Sequence, residues 1–311
     1  MNNNDAVYDV AVIGGGPAGL TAALYASRAG KSAVVLERES FGGQIVYSPC
    51  VENYPGIPSV SGMDFSAGLC EQAEAAGAVT DFAGAEAIEK KGGLFEIRTD
   101  AGIRTARTVV LTTGLKNRRL GLEGEDRLIG RGVSYCAICD GAFYKGLDAA
   151  VVGGGNTALQ DAIYLSDICA SVALIHRRDE FRGDAVLLER ASKLANVRIY
   201  RSCTVEALKE RDGKLVGLEI FDKKSLVKSE IAVQGLFMAI GQVPHGDIGL
   251  PPLERDGAGC FIAAQDMSTA VPGLFVAGDC RSKDIRQLTT AVGDGATAAI
   301  SACRYVDALK M

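Results

Sequence analysis

A short apolar run, a glycine-rich turn, a helix-forming stretch and a second apolar run occur in that order twice in this chain. Nothing else in the sequence restricts the fold as tightly. The first copy starts at Tyr8-Asp9-Val10-Ala11-Val12-Ile13, passes through Gly14-Gly15-Gly16-Pro17-Ala18-Gly19 into an alanine- and leucine-rich segment reaching about Ala29, and resumes over Ser32–Leu36. Apolar runs of this length suit strands buried on both faces of a parallel sheet. Gly14, Gly16 and Gly19 fit GxGxxG, which permits a tight turn, close approach of a pyrophosphate, and packing of helix on strand. The helix N-terminus attracts the phosphate charge. Glu37 closes the unit 23 residues after Gly14, where a carboxylate accepts hydrogen bonds from ribose hydroxyls. A glycine motif alone would be compatible with a ligand-free βαβ unit; strand, glycines, helix, strand and acid in order favour a dinucleotide site.

The second copy differs at its sugar end. Ala149-Ala150-Val151-Val152 leads into Gly153-Gly154-Gly155-Asn156-Thr157-Ala158, a helix through about Leu165, and a strand over Ser171–Ile175. Counting 23 residues from Gly153 reaches His176, and His176-Arg177-Arg178-Asp179-Glu180-Phe181-Arg182 stands where the first copy has its acid. A carboxylate repels a ribose 2′-phosphate, whereas guanidinium groups pair with it. One such contact at about 4 Å near a surface is worth up to ~4 kcal/mol before desolvation, enough for a few arginines to select the phosphorylated dinucleotide. The competing reading is a solvated basic turn partly neutralised by Asp179 and Glu180. Gly153, Gly155, Asn156, Thr157, His176, Arg177, Arg178 and Arg182 are therefore the expected NADPH-binding residues.

Just before the second copy stands Cys136-Ala137-Ile138-Cys139-Asp140. Two cysteines at this spacing close a small disulfide ring or hold two corners of a metal site. No second CxxC or paired histidine completes a tetrahedron, so no metal is expected. A structural disulfide closing so short a loop removes little chain entropy. Asp140 suits a redox pair, because reducing a disulfide requires proton delivery to sulfur. Cys136, Cys139 and Asp140 are the expected catalytic residues.

The cysteine count points the same way: nine in the whole chain is an odd number without framework spacing, which suits a reducing compartment. Met1 to Asp5 lacks a basic, apolar leader and no run approaches ~18 apolar residues, so a cytoplasmic protein without a membrane span is expected. A net charge of −5 leaves no electrostatic footprint for nucleic acid.

With 311 residues the chain is long enough for two domains. Phe41-Gly42-Gly43-Gln44 and Glu52-Asn53-Tyr54-Pro55-Gly56 read as turns, Gly62 to about Gly77 as a helix, and Phe95–Thr99, Arg104–Arg107 and Val109–Leu111 as strands. Val205–Phe221 and Glu230–Met238 read as strands of the second unit, and Ala239–Pro244 as a hinge. The strand Gly273–Ala277 ends in Gly278-Asp279, and Arg286–Thr290 opens a helical stretch reaching about Leu309. The expected fold is α/β: two Rossmann-like dinucleotide-binding domains, with residues 115–242 inserted between 1–114 and 243–311. Periodicity alone does not assign the tail to the first domain.

Together, the two glycine motifs, Gly43-Gln44, Glu52 to Gly56, Cys136 to Gly141, His176 to Arg182, Gly278-Asp279 and Arg286-Gln287 resemble the low-molecular-weight thioredoxin reductases through nearly the whole chain. The resemblance implies FAD in the first domain, NADPH in the inserted one, a homodimer, and thioredoxin as partner. It implies flavin contacts from Gly14, Gly16, Pro17, Ala18, Gly19, Glu37, Arg38, Gly42, Gly43, Gln44 and Asn53. Thr113, Gly114, Gly278, Asp279, Arg286, Gln287 and Leu288 complete that set. Electrons would pass from NADPH through FAD to the Cys136/Cys139 pair, with Cys139 facing the flavin, Cys136 attacking thioredoxin, and Asp140 as general acid-base. Because the pair must meet both flavin and partner, a rotation of residues ~115–242 is expected.

The alternative is a flavoprotein disulfide reductase or oxidase of the same architecture with another thiol partner. A flavin-binding redox sensor is disfavoured by the two nucleotide sites. Ala142, where an aromatic residue is common, and His245, in place of asparagine, depart from the family pattern. Cys50 and Cys280 are expected to be small buried residues.

Overall fold

The computed structural model describes residues 6–48, 50–244 and 248–309. His245 lies outside them. The chain divides into two units, Met1–Lys116 with Val243–Met311, and Asn117–Gln242.

The first unit is built on a seven-stranded sheet. Val79–Phe82, Ala33–Glu37, Val7–Ile13 and Gly102–Leu111 lie side by side in parallel. The strand Gly102–Leu111 then forks. Its first half pairs antiparallel with Leu94–Thr99, which continues to Ala85–Lys91, and its last three residues pair in parallel with Leu274–Val276. It runs unbroken through Thr108, where two shorter strands were expected, because the Thr108 hydroxyl donates to the Asp9 carbonyl at 2.7 Å and the side chain is fully buried. Val79–Phe82 and Ala85–Lys91 are strands that no apolar run announces.

Alternation along Val7–Ile13 feeds two cores. Val10 and Val12 face the alanines of helices Pro17–Arg28 and Leu288–Ala308, while Ala11 and Ile13 face Phe95, Ile97 and Phe261. Burying each such aliphatic side chain contributes roughly 1.5–3 kcal/mol. Helix Pro17–Arg28 has proline at its start and Gly30, at φ +74°, just beyond its end. Helix Gly62–Ala75 starts where Ser61 Oγ accepts from the Asp64 amide at 3.0 Å.

The second unit holds a five-stranded parallel sheet in the order Val197–Arg201, Ser171–His176, Asp148–Gly153, Gly235–Ala239, Val133–Ser134. A three-stranded antiparallel sheet, Cys203–Arg211, Lys214–Asp222 and Val227–Ile231, accompanies it. The stretch expected as one strand over 205–221 is split by a turn in which Asp212 and Gly213 both have positive φ. The stretch expected over 230–238 is divided between the two sheets. Gln234 anchors the crossing by exchanging hydrogen bonds with the Asp148 backbone at 2.8 and 3.0 Å. Helix Ala185–Lys193 follows the basic loop. Leu115–Asn117 and Gln242–Pro244 pair as a two-stranded ribbon. Among the described residues no helix is long and apolar enough to cross a membrane.

Candidate active site

In the first unit the parallel strands deliver Gly14, Glu37, Thr112 and Gly278 to one edge of the sheet, the carboxyl ends of the strands, where open α/β sheets bind ligands. Gly14 has φ +109°, and a Cβ there would fall 2.5 Å from the Thr112 carbonyl oxygen. A Cβ on Gly19 would overlap the carbonyl of Gly14. Gly16 is the contrast: no atom lies within 4 Å of where its Cβ would be. Two of the motif glycines are thus demanded by the protein's own packing and the third by an open cradle.

Glu37 is held beside that cradle, its carboxylate accepting from the amides of Gly15 at 2.6 Å, Glu39 at 2.7 Å and Ser40 at 3.3 Å. Arg38 turns away, donating to the Ala85 carbonyl at 2.9 Å over Gly84. The Gly42 amide donates to the Gly15 carbonyl at 2.8 Å, which holds the Gly43–Tyr47 turn, with Gln44, against the motif. Asn53 donates to Gln287 Oε1 at 3.3 Å, and Gln287 caps the helix that begins at Leu288. Arg286 donates to the Asp279 carbonyl at 3.3 Å. Asp279 Oδ1 is buried without a hydrogen-bond partner. Thr113 and Gly114, at φ +65°, follow Thr112 out of the sheet. An open cradle, a fixed carboxylate and a buried acceptor that takes no hydrogen bond, with Lys283 Nζ 3.5 Å away, fit a bound dinucleotide carrying hydroxyls. Cys280 is fully buried beneath this edge, and burial pushes its thiol up to about 11. Cys50, expected to be buried, is instead half-exposed with Sγ 3.0 Å from Ser59 Oγ, since its loop lies outside the core.

The second unit repeats the arrangement with a different charge. A Cβ on Gly153 would lie 2.7 Å from that of Ala158, whereas Gly155 has nothing within 4 Å. Asn156 and Asp184 exchange hydrogen bonds at 3.0 and 2.7 Å, and Thr157 is exposed beside them. Arg177, Arg178 and Arg182 are exposed and make no ion pair with any described residue. Asp179 does not neutralise them: its carboxylate pairs with Lys224 at 2.7 Å. His176 differs from the arginines. It is buried beneath Gly154, where an added Cβ would collide with the imidazole, stacks 4.6 Å from Phe181, and places Nε2 3.0 Å from the Glu180 carbonyl. Burial, aided by the neighbouring arginines, holds its pKa below the usual histidine value. Its ring supports the basic loop from below.

Strand Val133–Ser134 carries the cysteines to the same edge of the second unit's sheet. Cys136 and Cys139 are joined by a disulfide, and the Cys139 amide donates to Cys136 Sγ at 3.2 Å. Ser134, which no sequence motif marked, organises the base of the loop. Its hydroxyl accepts from the Cys136 amide at 3.1 Å and donates to Asp140 Oδ2 at 2.6 Å. Asp140 Oδ1 is buried without a partner. Burial raises the Asp140 pKa and the Ser134 hydrogen bond opposes the shift. Such a carboxyl holds a proton at higher pH than a solvated one. Ile138 and Phe143 expose apolar surface on either side, and Ala142 is exposed between them.

This arrangement matches known proteins over its whole length. The pyridine nucleotide-disulphide oxidoreductase family matches residues 8–295. The thioredoxin reductase of Listeria monocytogenes is 40% identical over 312 residues, spanning 100% of this chain and 97% of its own. That of Treponema pallidum is 38% identical over 304 residues, spanning 97% and 98%. The crystal structure of thioredoxin reductase from Streptococcus pyogenes, 38% identical, superposes with a TM-score of 0.92 over 98% of this chain and 99% of that one. With both nucleotide edges and the cysteine loop accounted for, the chain belongs to the pyridine nucleotide-disulphide oxidoreductase family.

Proposed function

We propose that the chain is an NADPH-dependent thioredoxin-disulfide reductase, with FAD held by the first unit, NADPH by the second, and Cys136/Cys139 as the pair that meets thioredoxin. The observation that carries this reading is the disulfide with Asp140 half-buried behind it, one carboxylate oxygen bonded to Ser134 and the other buried without a partner. FAD, when bound, supplies a carrier able to take up a hydride and give two electrons to sulfur, which side chains cannot do.

The chain's own residues do the rest. The open backbone at Gly16, the loop of Gly42 to Gln44, and Asn53, Asp279, Arg286 and Gln287 hold FAD, with Glu37 on its ribose. Gly155 and the guanidinium groups of Arg177, Arg178 and Arg182 hold NADPH, with the latter on the 2′-phosphate. Opening the Cys136–Cys139 bond takes two electrons and one proton and yields one thiol and one thiolate. Asp140 delivers that proton to Cys139 and is reprotonated from solvent. The Cys136 thiolate then attacks a thioredoxin sulfur and expels the other as a thiolate, which takes up a proton from Asp140. Attack of Cys139 on Cys136, with the Cys139 proton passing to Asp140, restores the disulfide and expels thioredoxin's second sulfur as a thiolate that solvent protonates. The pair's potential must lie near thioredoxin's ~−270 mV, since 30 mV amounts to about 1.4 kcal/mol for two electrons.

One arrangement of the units cannot present the pair to both electron donor and partner. Residues ~115–242 therefore rotate about the paired linkers between half-reactions. The protein acts as a homodimer in the cytoplasm; seven free cysteines beside one disulfide suit a reducing compartment. Steady-state NADPH oxidation in the presence of oxidised thioredoxin tests the reading. Turnover is expected for the native protein and none for Cys139→Ser. Undiminished thioredoxin reduction by that variant would overturn it.

A further inference from the structure

Behind the strand-end edge of the first unit lies an ion cluster that the chemistry above leaves unused. Asp294, on helix Leu288–Ala308, is 7% exposed. Its Oδ2 accepts from the Gly278 amide at 3.2 Å, Arg281 Nε at 3.1 Å and Lys283 Nζ at 3.1 Å, and its Oδ1 from Arg281 Nη2 at 3.1 Å. Lys283 is equally enclosed, its side chain 8% exposed. Its ammonium stands 3.4 Å from Thr290 Oγ1 and 3.5 Å from Asp279 Oδ1, the oxygen that takes no hydrogen bond.

The cluster is fixed relative to the first glycine motif. A Cβ on Gly295 would overlap the Ala18 carbonyl, and one on Gly278, at φ +77°, would lie 2.8 Å from the Ala18 Cβ. Helix Leu288–Ala308 therefore packs in close backbone contact with helix Pro17–Arg28, and Asp294 accepts the Gly278 amide from that position.

The Asp279 side chain is 37% exposed, but its Oδ1 is buried, and a buried carboxylate oxygen is costly without a counter-charge. The charged groups facing Asp279 are Lys283, Arg286 and Asp294, with Arg281 behind Asp294. Arg286 directs its guanidinium to the Asp279 carbonyl and, at 3.4 Å, to Cys260 Sγ. Lys283 is thus the cation aimed at the Asp279 carboxylate, and Asp294 is what aims it.

We propose that Lys283, anchored by Asp294, is a positioning residue for the cofactor: it keeps Asp279 ionised and its free oxygen presented to a hydroxyl of the flavin's polyol chain. This rests on the reading of the first unit as an FAD site. Burial raises the Asp279 pKa and Lys283 is the largest influence opposing the rise. Removing the ammonium raises it further, so the neutral acid, a poorer acceptor, takes over at a higher pH.

The test is FAD titration of the deflavinated full-length protein, followed by flavin fluorescence between about pH 5 and 8.5, with thermal melting of each apoprotein alongside. Lys283→Met is expected to bind FAD about tenfold more weakly near neutral pH, with the deficit growing as pH falls. Lys283→Arg should recover most of the affinity, and Asp294→Asn should weaken it with a smaller pH dependence. Native affinity in Lys283→Met at every pH overturns the proposal. So does a pH-independent loss, tracking a lower melting temperature and not restored by arginine, which would make Lys283 structural only. Failure of the native apoprotein to bind FAD would overturn the cofactor reading itself, and the proposal with it.

Discussion

Ser134 Oγ donates to Asp140 Oδ2 at 2.6 Å, directly behind the disulfide whose second cysteine precedes Asp140 in the chain. The bond favours the ionised carboxylate, while burial favours the acid and prevails. Ser134→Ala should therefore move the Asp140 pKa higher still. A general acid is lost as pH rises through its pKa, so the alkaline limb of the thioredoxin half-reaction shifts to higher pH in this variant. Asp140→Asn should lower that half-reaction about 10²–10⁴-fold. Stopped-flow reduction of thioredoxin by prereduced protein across pH measures both.

The same shift has a consequence for stability. A carboxyl whose folded pKa lies above its unfolded value contributes stability below the unfolded pKa and loses it as pH rises through the folded one. Asp140→Asn should accordingly melt a few degrees above the native protein at about pH 8 and show no such gain near pH 4. Differential scanning calorimetry at the two pH values decides the matter.

The Asp179–Lys224 ion pair leaves the arginines of the basic loop without an acid partner. Arg177→Ala combined with Arg178→Ala should lower the NADPH-over-NADH preference in kcat/KM by about 100-fold or more, mostly through KM for NADPH. Lys224→Ala should raise that KM by about two- to fivefold, since it frees Asp179 to compete for them. Unchanged KM in Lys224→Ala would show that Asp179 is indifferent to its partner.

Much of this arrangement is legible in the chain and some is not, for a physical reason. Both βαβ turns announce themselves because strand, glycines and helix are contiguous, and local sterics at Gly14 and Gly153 demand those residues. The cluster of Asp294, Lys283 and Asp279 is invisible in sequence, because Asp294 meets Gly278 only after a helix has folded back onto the sheet. Lys224 likewise reaches Asp179 from a different sheet, and Ser134 lies outside the CxxC motif, meeting Asp140 only through the fold of the loop. Glu230–Met238 misleads because apolar and β-branched residues continue across a point where the chain changes sheets. The tail from Val243 carries no periodicity that ties it to the first unit; pairing of Leu274–Val276 with Val109–Leu111 does.

Glycines of the same motif should respond differently to alanine. Gly19→Ala forces a methyl onto the Gly14 carbonyl and should destabilise the first unit by about 1–3 kcal/mol or prevent its folding. Gly16→Ala meets no protein atom, so melting of the apoprotein should be unchanged while FAD affinity falls. Gly155→Ala should likewise raise KM for NADPH without altering stability. Melting curves paired with ligand titrations separate the two behaviours.

Thiol labelling reports the redox state. Cys169, Cys203, Cys260, Cys280 and Cys303 are buried, whereas Cys50 and Cys70 are half-exposed. Maleimide treatment of the native oxidised protein should modify Cys50 and Cys70 alone. Anaerobic treatment with NADPH beforehand should add Cys136 and Cys139, as read by peptide mass spectrometry. Buried thiols labelled before the pair opens would contradict this order.

The forked strand Gly102–Leu111 bears on how the protein is made. Its carboxyl half has no neighbour on one side until Leu274–Val276 is in place, and that segment leaves the ribosome only after the whole inserted unit. The inserted unit, whose five parallel strands all lie between Val133 and Ala239, has everything it needs to fold first. Ribosome-bound chains stalled before Leu274 should therefore carry a protease-resistant second unit alongside a first unit that is still being cut.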